Sequence, residues 1–208
     1  MKIAVLGGTG KMGRALAGRL AGGNYVIIGS RDPARAREAA KGIPGASGMD
    51  YPGASREADV VVVSVPDSAV ETIAPLSKDL AGKLVISVVN PLRFKDGLLY
   101  FGRDTGSAAE ELARILPDSR VATAFNNIPA GFFEKDEVIP IDVLVAADKK
   151  ETYEEVANLV KGIPNLRPLY AGPLSQARTV ESITALVLNL ANLNKTGSLT
   201  TRFVSRKG

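Results

Sequence analysis

The sequence contains neither cysteine nor histidine, and these two absences exclude much of the chemistry that small enzymes use. Without cysteine the chain has no disulfide, no thiolate-bound zinc, no iron–sulfur cluster and no cysteine nucleophile. Without histidine it lacks the commonest metal ligand and the commonest acid or base that titrates near neutral pH. We predict no metal site, and any catalysis must rely on a bound cofactor or on Asp, Glu, Lys, Tyr or Ser side chains.

Long hydrophobic runs and clusters of like charge are also missing. No stretch approaches the roughly 18–20 uninterrupted apolar residues that a membrane span needs. Because Met1 and Lys2 lead directly into the first apolar run, we expect no signal peptide. The net charge is +4, with 26 basic and 22 acidic residues interspersed. This balance favours anionic small molecules as partners. We predict a cytoplasmic protein that binds no nucleic acid and no membrane, with residues 202–207 as a solvated basic tail.

Glycine, by contrast, is abundant, and its most informative positions are near the start of the chain. The apolar run Lys2–Leu6 is followed by Gly8, Gly10 and Gly13 with the spacing G-x-G-x-x-G. In a strand–turn–helix unit the first glycine reverses the chain with positive φ, the second lets backbone N–H groups approach a pyrophosphate, and the third allows close packing of the helix. The helix N-terminus then favours the negative charge of the phosphates. We predict a dinucleotide site here, rather than a turn alone, and it also includes Thr9, Lys11 and Met12.

The end of the second predicted strand, residues 25–28, indicates which dinucleotide binds. NAD-preferring folds usually carry an acidic residue at this point, whereas this chain has Ser30 followed by Arg31. Both side chains can bind a 2′-phosphate, and Arg35 lies one helical turn further on. Asp32 is expected to cap the helix that follows. We predict NADP rather than NAD; the alternative is that the arginines only form a solvated helix face.

Strands and helices alternate along most of the remaining chain. Further strands are predicted at 46–49, 59–65, 84–88, 120–124, 143–147 and 167–171, with helices at 67–80, 107–116 and 151–162 and a loop at 94–105. This alternation predicts an α/β fold of the Rossmann type, a doubly wound, mostly parallel sheet with right-handed crossovers.

Ligands of such folds bind at the carboxyl ends of the strands. Two strand ends carry prolines and polar residues that we expect to lie near a nicotinamide, although each proline is equally well explained as a strand terminator. The residues concerned are Ser64, Val65, Pro66, Val89 and Asn90.

The chain ends in a long apolar helix, predicted from residue 172 to about 194. Its apolar stripe is broader than one core face needs, which is typical of a helix that is buried or shared between subunits. We expect it to pack on the sheet and on a second subunit in a homodimer. Residues 1–140 are predicted to form the NADP-binding domain, and residues 141–208 a small C-terminal α/β extension that ends in this helix.

Four segments together carry a family resemblance. They read Leu-Gly-Gly-Thr-Gly from Leu6, Ile-Ile-Gly-Ser-Arg from Ile27, Ala-Phe-Asn-Asn-Ile-Pro-Ala from Ala124, and the block Leu166–Thr184. Over nearly the whole chain the sequence resembles the F420H2:NADP oxidoreductases of archaea and some actinobacteria. The resemblance implies a small Rossmann enzyme that moves a hydride between NADP and the 5-deazaflavin coenzyme F420.

The resemblance also implies roles for individual residues. Thr9, Ser30, Arg31 and Arg35 match the family's contacts to the 2′-phosphate of NADP. The coenzyme F420 side of the cleft is matched by Arg178, Ser182 and Thr184, and the region near the deazaflavin ring by Asn126 and Ile128. Some members have His-Thr where this chain has Asn126-Asn127. We assign positioning roles only, and no catalytic acid or base.

The residues of the last helix also have plainer interpretations. Arg178 could form a salt bridge with Glu181 or Glu71, and Ser182 and Thr184 could make hydrogen bonds within their own helix.

Two other functions remain open at this point. One is an NADP-dependent imine or carbonyl reductase of the pyrroline-carboxylate reductase type, which would need Tyr100 or Lys95 as proton donor. The other is a non-catalytic NADPH-binding sensor, or a ferric-reductase-like partner that hands electrons to another protein.

Overall fold

The computed structural model describes residues 1–134 and 139–206. In chain order its strands are β1 (Lys2–Leu6), β2 (Tyr25–Ser30), β3 (Ser47–Asp50), β4 (Val60–Val63), β5 (Leu84–Ser87), β6 (Leu92–Lys95), β7 (Leu98–Phe101), β8 (Arg120–Thr123), β9 (Ile141–Ala147) and β10 (Leu166–Gly172). The α-helices are α1 (Lys11–Leu20), α2 (Pro33–Ala40), α3 (Tyr51–Glu57), α4 (Ser77–Leu80), α5 (Ala108–Ile115), α6 (Gly131–Glu134), α7 (Lys150–Lys161) and α8 (Ala177–Asn194). Two 3₁₀ helices, Asp67–Leu76 and Leu174–Gln176, precede α4 and α8.

The central sheet has eight strands in the order β10-β9-β8-β5-β4-β1-β2-β3. From β3 to β8 all neighbours are parallel. Strand β9 then runs antiparallel to β8, and β10 runs parallel to β9. This is the doubly wound order, and the direction of chain travel across the sheet reverses between β1 and β4. The predicted Rossmann-type, mostly parallel sheet is therefore confirmed.

The sheet is covered by helices on both faces, which explains its uninterrupted apolar strands. Strand β4 consists of four valines, none more than 1% exposed, as expected of a parallel strand with no solvent face. One face packs against Leu16 of α1, Ala36 of α2 and Val156 of α7. The other packs against α3, α4, α5 and the first 3₁₀ helix, for example through Leu112. These two layers fix the carboxyl edge of the sheet, where ligands bind in such folds.

The predicted loop at 94–105 is wrong, because β6 and β7 form an antiparallel hairpin there. Its turn has positive φ at Asp96 (50°) and Gly97 (82°), and Asp-Gly is a strong hairpin signal that the sequence did contain. The hairpin is attached to α8 by Asn189, whose amide accepts from the Leu99 N–H and donates to the Leu99 carbonyl, both at 2.8 Å.

Two further elements differ from the prediction. The segment predicted as one helix at 67–80 is 3₁₀ as far as Leu76, with Pro75 inside it, and becomes α-helical only at Ser77. Helix α3 was not predicted at all, since its sequence is short and weakly patterned. It begins after Asp50, whose carboxylate accepts from the Gly53 N–H at 2.8 Å.

Of the solvated tail predicted at 202–207, residues 202–206 are exposed, but the Phe203 N–H donates to the Asp142 carboxylate, and Lys207 lies outside the described residues. Just before this tail, Thr200 bonds to the loop after β8 and Thr201 to β9. The Asp142 N–H donates to the Thr201 carbonyl at 3.2 Å. Strands β9 and β10 continue the same sheet across the predicted boundary at residue 140, and the division into 1–140 and 141–208 stays a prediction. Among the described residues, no helix is long and apolar enough to cross a membrane.

Candidate active site

A cleft of about 360 Å³ lies at the carboxyl ends of β1, β2 and β4. It is the place where the doubly wound topology predicts a dinucleotide. Residues from three separate predicted segments line it together, namely Thr9, Gly10, Ser30, Arg31, Arg35, Ser64, Val65 and Pro66. Sequence reasoning missed the polar lining residues Tyr51 and Thr72, and it expected Asp32, which also lines the cleft, only as a helix cap.

The glycine turn at the start of the cleft leaves no room for side chains. A Cβ on Gly8 would lie 2.8 Å from the Val5 carbonyl oxygen, and one on Gly13 would lie 2.6 Å from the Gly7 carbonyl oxygen. The positive φ of the turn (83°) belongs to Gly7, and assigning it to Gly8 was wrong. Gly8 is required for space instead.

Helix α1 begins at this cleft, since its N-cap residue lines it. Its N-cap is Gly10, which offers no side-chain hydrogen bond. The first N–H groups of a helix have no partner within the helix and carry its positive dipole end. A pyrophosphate of a dinucleotide fits such a terminus.

The end of β2 has the features expected of a 2′-phosphate site. Asp32 caps α2 as predicted, accepting from the N–H groups of Ala34 (2.8 Å) and Arg35 (3.3 Å). Ser30 is buried, and its hydroxyl oxygen accepts from the Asp32 N–H at 3.2 Å, so its hydrogen can still be donated. Arg31 and Arg35 are exposed, and within the described part of the chain neither forms an ion pair. Two cations without an ion pair therefore lie beside one hydroxyl donor, and the capping residue Asp32 lines the same cleft.

Tyr51 closes the same end of the cleft. It follows β3 directly, and β3 pairs with β2 so that Asp50 lies opposite Ser30. Burial raises the pKa of the Tyr51 phenol, although the Arg31 guanidinium opposes this. The phenol therefore keeps its proton at neutral pH and is a hydrogen-bond donor.

A second, smaller cavity of about 180 Å³ lies further along the carboxyl edge, beyond β5 and β8. It joins residues from the two ends of the chain, since both α1 and α8 contribute to it. Asn126, Ile128 and Thr184 line it as expected, and so does Asn90. The prediction for Met12 is wrong, because this residue lines the smaller cavity and not the nucleotide cleft. The other lining residues, which were not predicted, are Asn127, Pro129, Ala130, Val187 and Leu188. The lining is mainly apolar with a few amide groups, a composition that suits a flat heteroaromatic ring.

Asn126 holds this cavity together through its side chain. The amide nitrogen donates to the Val89 carbonyl (3.0 Å) and to the Asn90 side-chain oxygen (3.1 Å), and the amide oxygen accepts from the Thr123 hydroxyl at 2.7 Å. The Thr184 hydroxyl donates to the Asn126 backbone carbonyl at 2.7 Å. Both amide hydrogens of Asn126 are thus used within the protein, so its side chain shapes the cavity from behind.

Arg178 and Ser182 do not line either cavity. The Arg178 guanidinium donates to the carbonyls of Gly106 and Arg103, each at 3.0 Å, and lies 4.6 Å from the ring centroid of Phe101. The Ser182 hydroxyl donates to Thr179 within its own helix. The intrahelical alternative is therefore confirmed for Ser182 but wrong for Thr184, which bonds across to the loop after β8.

The salt bridges considered for Arg178 are also wrong. Glu71 pairs with Arg114 instead, at 2.7 Å. Glu181 is fully buried, and its carboxylate accepts from the N–H groups of Ala108 (2.9 Å) and Ala109 (3.0 Å) at the start of α5. Burial raises the pKa of Glu181 to about 7, against the opposing effect of these two hydrogen bonds. Sequence reasoning had assigned Glu181 no such role.

The other predicted residues shape the site without lining a cavity. Gly8 and Gly13 form the turn, Lys11 is exposed in the first turn of α1, and Val89 accepts from Asn126. Across residues 1–134 and 139–206 there is no group of three or more acidic side chains that could hold a metal ion.

Comparisons with known proteins place this geometry in a family. The family model described as "NADP oxidoreductase coenzyme F420-dependent" matches residues 2–91. An F420-dependent NADP reductase from Methanothermobacter thermautotrophicus is 40% identical over 211 residues, which cover 94% of this chain and 91% of that protein. The chain belongs to the F420-dependent NADP reductase family. A second member, from Methanocaldococcus jannaschii, is 38% identical over 206 residues, covering 91% of this chain and 92% of that protein.

The fold of the F420-dependent NADP reductase family agrees with the structure. A crystal structure from Arthrobacter sp. FB24, named as a candidate F420-dependent NADP reductase, superposes with a TM-score of 0.87. The two chains are 26% identical, and the match covers 99% of this chain and 100% of the other. The resemblance stated from the sequence is thereby confirmed.

Proposed function

We propose that this chain is an oxidoreductase that transfers a hydride directly between NADP(H) and the 5-deazaflavin coenzyme F420. One observation carries the proposal. The carboxyl edge of the sheet holds a cleft with an anion-binding turn and, next along the edge, a mainly apolar cavity lined by amides. The two relatives named F420-dependent NADP reductase, of which the match covers 92% and 91%, support the same pair of ligands.

NADP is assigned to the larger cleft. The uncapped N-terminus of α1, with Thr9, Gly10 and the exposed Lys11, would hold the pyrophosphate. The pair Arg31 and Arg35 would hold the 2′-phosphate together with Ser30 and Thr9. Charge-assisted hydrogen bonds of this kind are about twice as strong as neutral ones, which supports a preference for NADP over NAD.

The nicotinamide is assigned to the part of the edge between the two cavities. Ser64, Val65 and Pro66 line the nucleotide cleft, whereas Asn90 lines the smaller cavity. Because β4 and β5 are adjacent, their carboxyl ends are neighbours. A ring held between these two strand ends would face the smaller cavity.

The deazaflavin ring is assigned to the smaller cavity, against Ile128, Asn126 and Thr184. Arg178 and Ser182, nearer the start of α8, are proposed to face its anionic tail; for Arg178 this requires that its guanidinium exchange a carbonyl partner for the ligand.

The protein's contribution is positioning, which suits a chain without histidine. When both ligands are bound, the nicotinamide C4 would supply a hydride with its electron pair, and the deazaflavin would accept it at C5 together with a proton from solvent. Asn126 fixes the positions of Asn90 and the Val89 carbonyl, and the apolar residues Ile128, Val187 and Leu188 exclude water. Holding two reactants in a productive geometry supplies much of the rate of such a reaction.

We further propose a homodimer that buries an apolar stripe on α8. Leu186, Leu190 and Leu193 share one helix face and are 58%, 42% and 68% exposed. Exposed leucines in this pattern are typical of a helix that packs on a partner. The cytoplasmic location predicted from the sequence stays a prediction.

The activity is tested by mixing the pure protein with NADPH and oxidised coenzyme F420 and following the visible absorbance of the deazaflavin. We expect rapid bleaching that requires both protein and NADPH. Turnover of an imine with no bleaching would instead indicate an imine reductase. Binding of NADPH without turnover of either acceptor would indicate a sensor or an electron-transfer partner.

A further inference from the structure

The residue after Asn126 connects the smaller cavity to the end of the chain. Asn127 lines the cavity but is only 1% exposed, and its side chain is hydrogen-bonded to β9 and to the C-terminal segment. The amide nitrogen donates to the Asp142 carbonyl (2.6 Å) and to the Thr201 hydroxyl oxygen (2.7 Å). The amide oxygen accepts from the Leu144 N–H at 3.5 Å. One side chain therefore joins the cavity loop, β9 and the C-terminal segment.

The C-terminal segment returns a hydrogen bond to the same loop. The Thr200 hydroxyl donates to the Asn127 backbone carbonyl at 3.2 Å. We name residues Thr200–Phe203 the C-terminal strap. The strap thus contacts Asn127 at both its backbone and its side chain, through two adjacent hydroxyl groups.

The strap is itself fixed by a buried carboxylate, that of Asp142. This residue is 2% exposed, and its side chain accepts from Arg167 (2.7 and 2.8 Å) and from the Phe203 N–H. Arg167 also donates to the Phe203 carbonyl at 2.7 Å. Burial alone would raise the pKa of Asp142, but the hydrogen bonds from Arg167 and Phe203 outweigh it and lower the pKa. The anchor of the strap is therefore charged at neutral pH.

The loop that the strap holds includes an unfavourable backbone conformation. Phe125 has φ of 65° and is almost completely buried. A bulky residue in the left-handed region persists only where its surroundings determine it. Asn126 fixes the loop on the side of β5, and Asn127 fixes it on the side of β9. The side chains of two adjacent residues therefore hold the loop to two different parts of the sheet.

From these contacts we infer that Asn127 and the C-terminal strap are positioning elements of the deazaflavin pocket. The strap holds the loop that presents Asn126 and Ile128 without itself lining the cavity. This inference rests on the proposed function, because it assigns the smaller cavity to coenzyme F420. If the inference is correct, the C-terminal strap supports the coenzyme F420 site, and the NADP cleft does not depend on the strap.

The test replaces the two strap hydroxyls in the full-length protein. The double substitution Thr200→Val with Thr201→Val keeps the side-chain shape and removes both hydrogen bonds to Asn127. Amide hydrogen exchange in the peptide spanning residues 124–130 should become faster. The KM for coenzyme F420 should rise by about fivefold to thirtyfold, the range expected from removing one or two hydrogen bonds. The Kd of NADPH should not change.

Two control variants match this change. Thr200→Ser with Thr201→Ser keeps both hydroxyls and should behave as the parent in exchange and in kinetics. Thr196→Val makes the same chemical change at a nearby residue. The hydrogen bond that the described structure gives Thr196 is made by its backbone N–H, so this substitution should change neither the exchange rate nor the KM. The single substitution Asn127→Ala should act in the same direction as the double valine variant and more strongly.

Each result decides the inference. Unchanged exchange in residues 124–130 in the double valine variant would overturn it, as would faster exchange with an unchanged KM for coenzyme F420. An equal loss of NADPH affinity would also overturn it, since it would indicate general destabilisation. A parent protein that does not reduce coenzyme F420 would refute the proposed function instead, and the exchange measurement would still report whether the strap orders the loop.

Discussion

At the scale of single residues, cofactor choice depends on two arginines. We expect Arg31→Ala with Arg35→Ala to weaken NADPH binding by about 1–3 kcal/mol for each charge-assisted hydrogen bond that is removed. NADH lacks the 2′-phosphate, so its affinity should change little. Titration calorimetry with both nucleotides measures the difference.

A matched control is available on the same helix. Arg37 belongs to α2 but does not line the nucleotide cleft, so Arg37→Ala should leave both affinities unchanged. Equal reductions of NADPH and NADH affinity in the double arginine variant would contradict the assignment of the 2′-phosphate site.

Site residues that belong to a local sequence motif could be predicted, whereas those brought to the site by the pairing of strands could not. The glycine spacing and the Ser30-Arg31 pair lie next to their own strands, so their place in the cleft could be predicted. Tyr51 lines the cleft because β3 pairs with β2. That register is non-local, and no motif around Tyr51 indicates it.

At the scale of secondary structure, α1 contains two glycines with opposite requirements. A Cβ on Gly13 would lie 2.6 Å from a backbone carbonyl oxygen, whereas one on Gly18 would meet nothing within 4 Å. We expect Gly13→Ala to lower the free energy of unfolding by about 1–3 kcal/mol through overpacking. Gly18→Ala should raise it by about 0.5–1 kcal/mol, since alanine favours helix. Urea unfolding of the two variants checks both signs, and a stabilised Gly13→Ala would show that the turn is not tightly packed.

The junction of α5 and α8 should make stability depend on pH. The pKa of buried Glu181 is about 7 in the folded protein, above the ordinary 4.5. Between these values the folded state binds more protons than the unfolded state, so the contribution of this group to stability falls as pH rises from about 4.5 to about 7. The full change is on the order of 3 kcal/mol. Urea unfolding across pH 4–8 measures it.

The variant Glu181→Gln isolates this effect. It cannot ionise, so the part of the pH dependence that comes from residue 181 should disappear. We expect its free energy of unfolding to be closest to that of the parent near pH 4.5 and to rise relative to that of the parent by pH 8. A difference between the two proteins that is constant with pH would contradict the raised pKa.

Elements with a strong period were predictable, and those defined by a turn or a tertiary contact were less so. The valines of β4 indicate a strand on their own, because an apolar run of that length in an α/β pattern is buried on both faces. The β6–β7 hairpin has exposed residues and short strands, and its Asp-Gly turn was the only sequence signal. Its attachment to Asn189 of α8 has no local signal at all.

At the scale of the whole molecule, the proposed acceptor pocket combines the two ends of the chain. Met12 of α1 and Thr184 of α8 line one cavity although the chain between them forms most of the sheet. Physical reasoning from local sequence cannot place two such residues together. The family resemblance placed Thr184 on the coenzyme F420 side of the cleft, whereas Met12 was expected at the dinucleotide turn. The contacts of the strap were not predicted either, because the basic residues at 202–207 indicate only a solvated tail.

The dimer proposed through α8 is also a property of the whole molecule. Specific interfaces bury more than about 1,000 Å² in total, and an exposed leucine stripe along a long helix is a suitable centre for one. We expect light scattering on a sizing column to give about twice the chain mass of 21.8 kDa.

Leu186→Lys with Leu190→Lys should yield the monomer, because two charges would be buried without partners. Tyr25→Lys, at an exposed aromatic residue that begins β2, is the matched control and should remain dimeric. A parent that elutes as a monomer, or a lysine variant that remains a dimer, would exclude this helix face as the interface and leave the leucines available to some other contact.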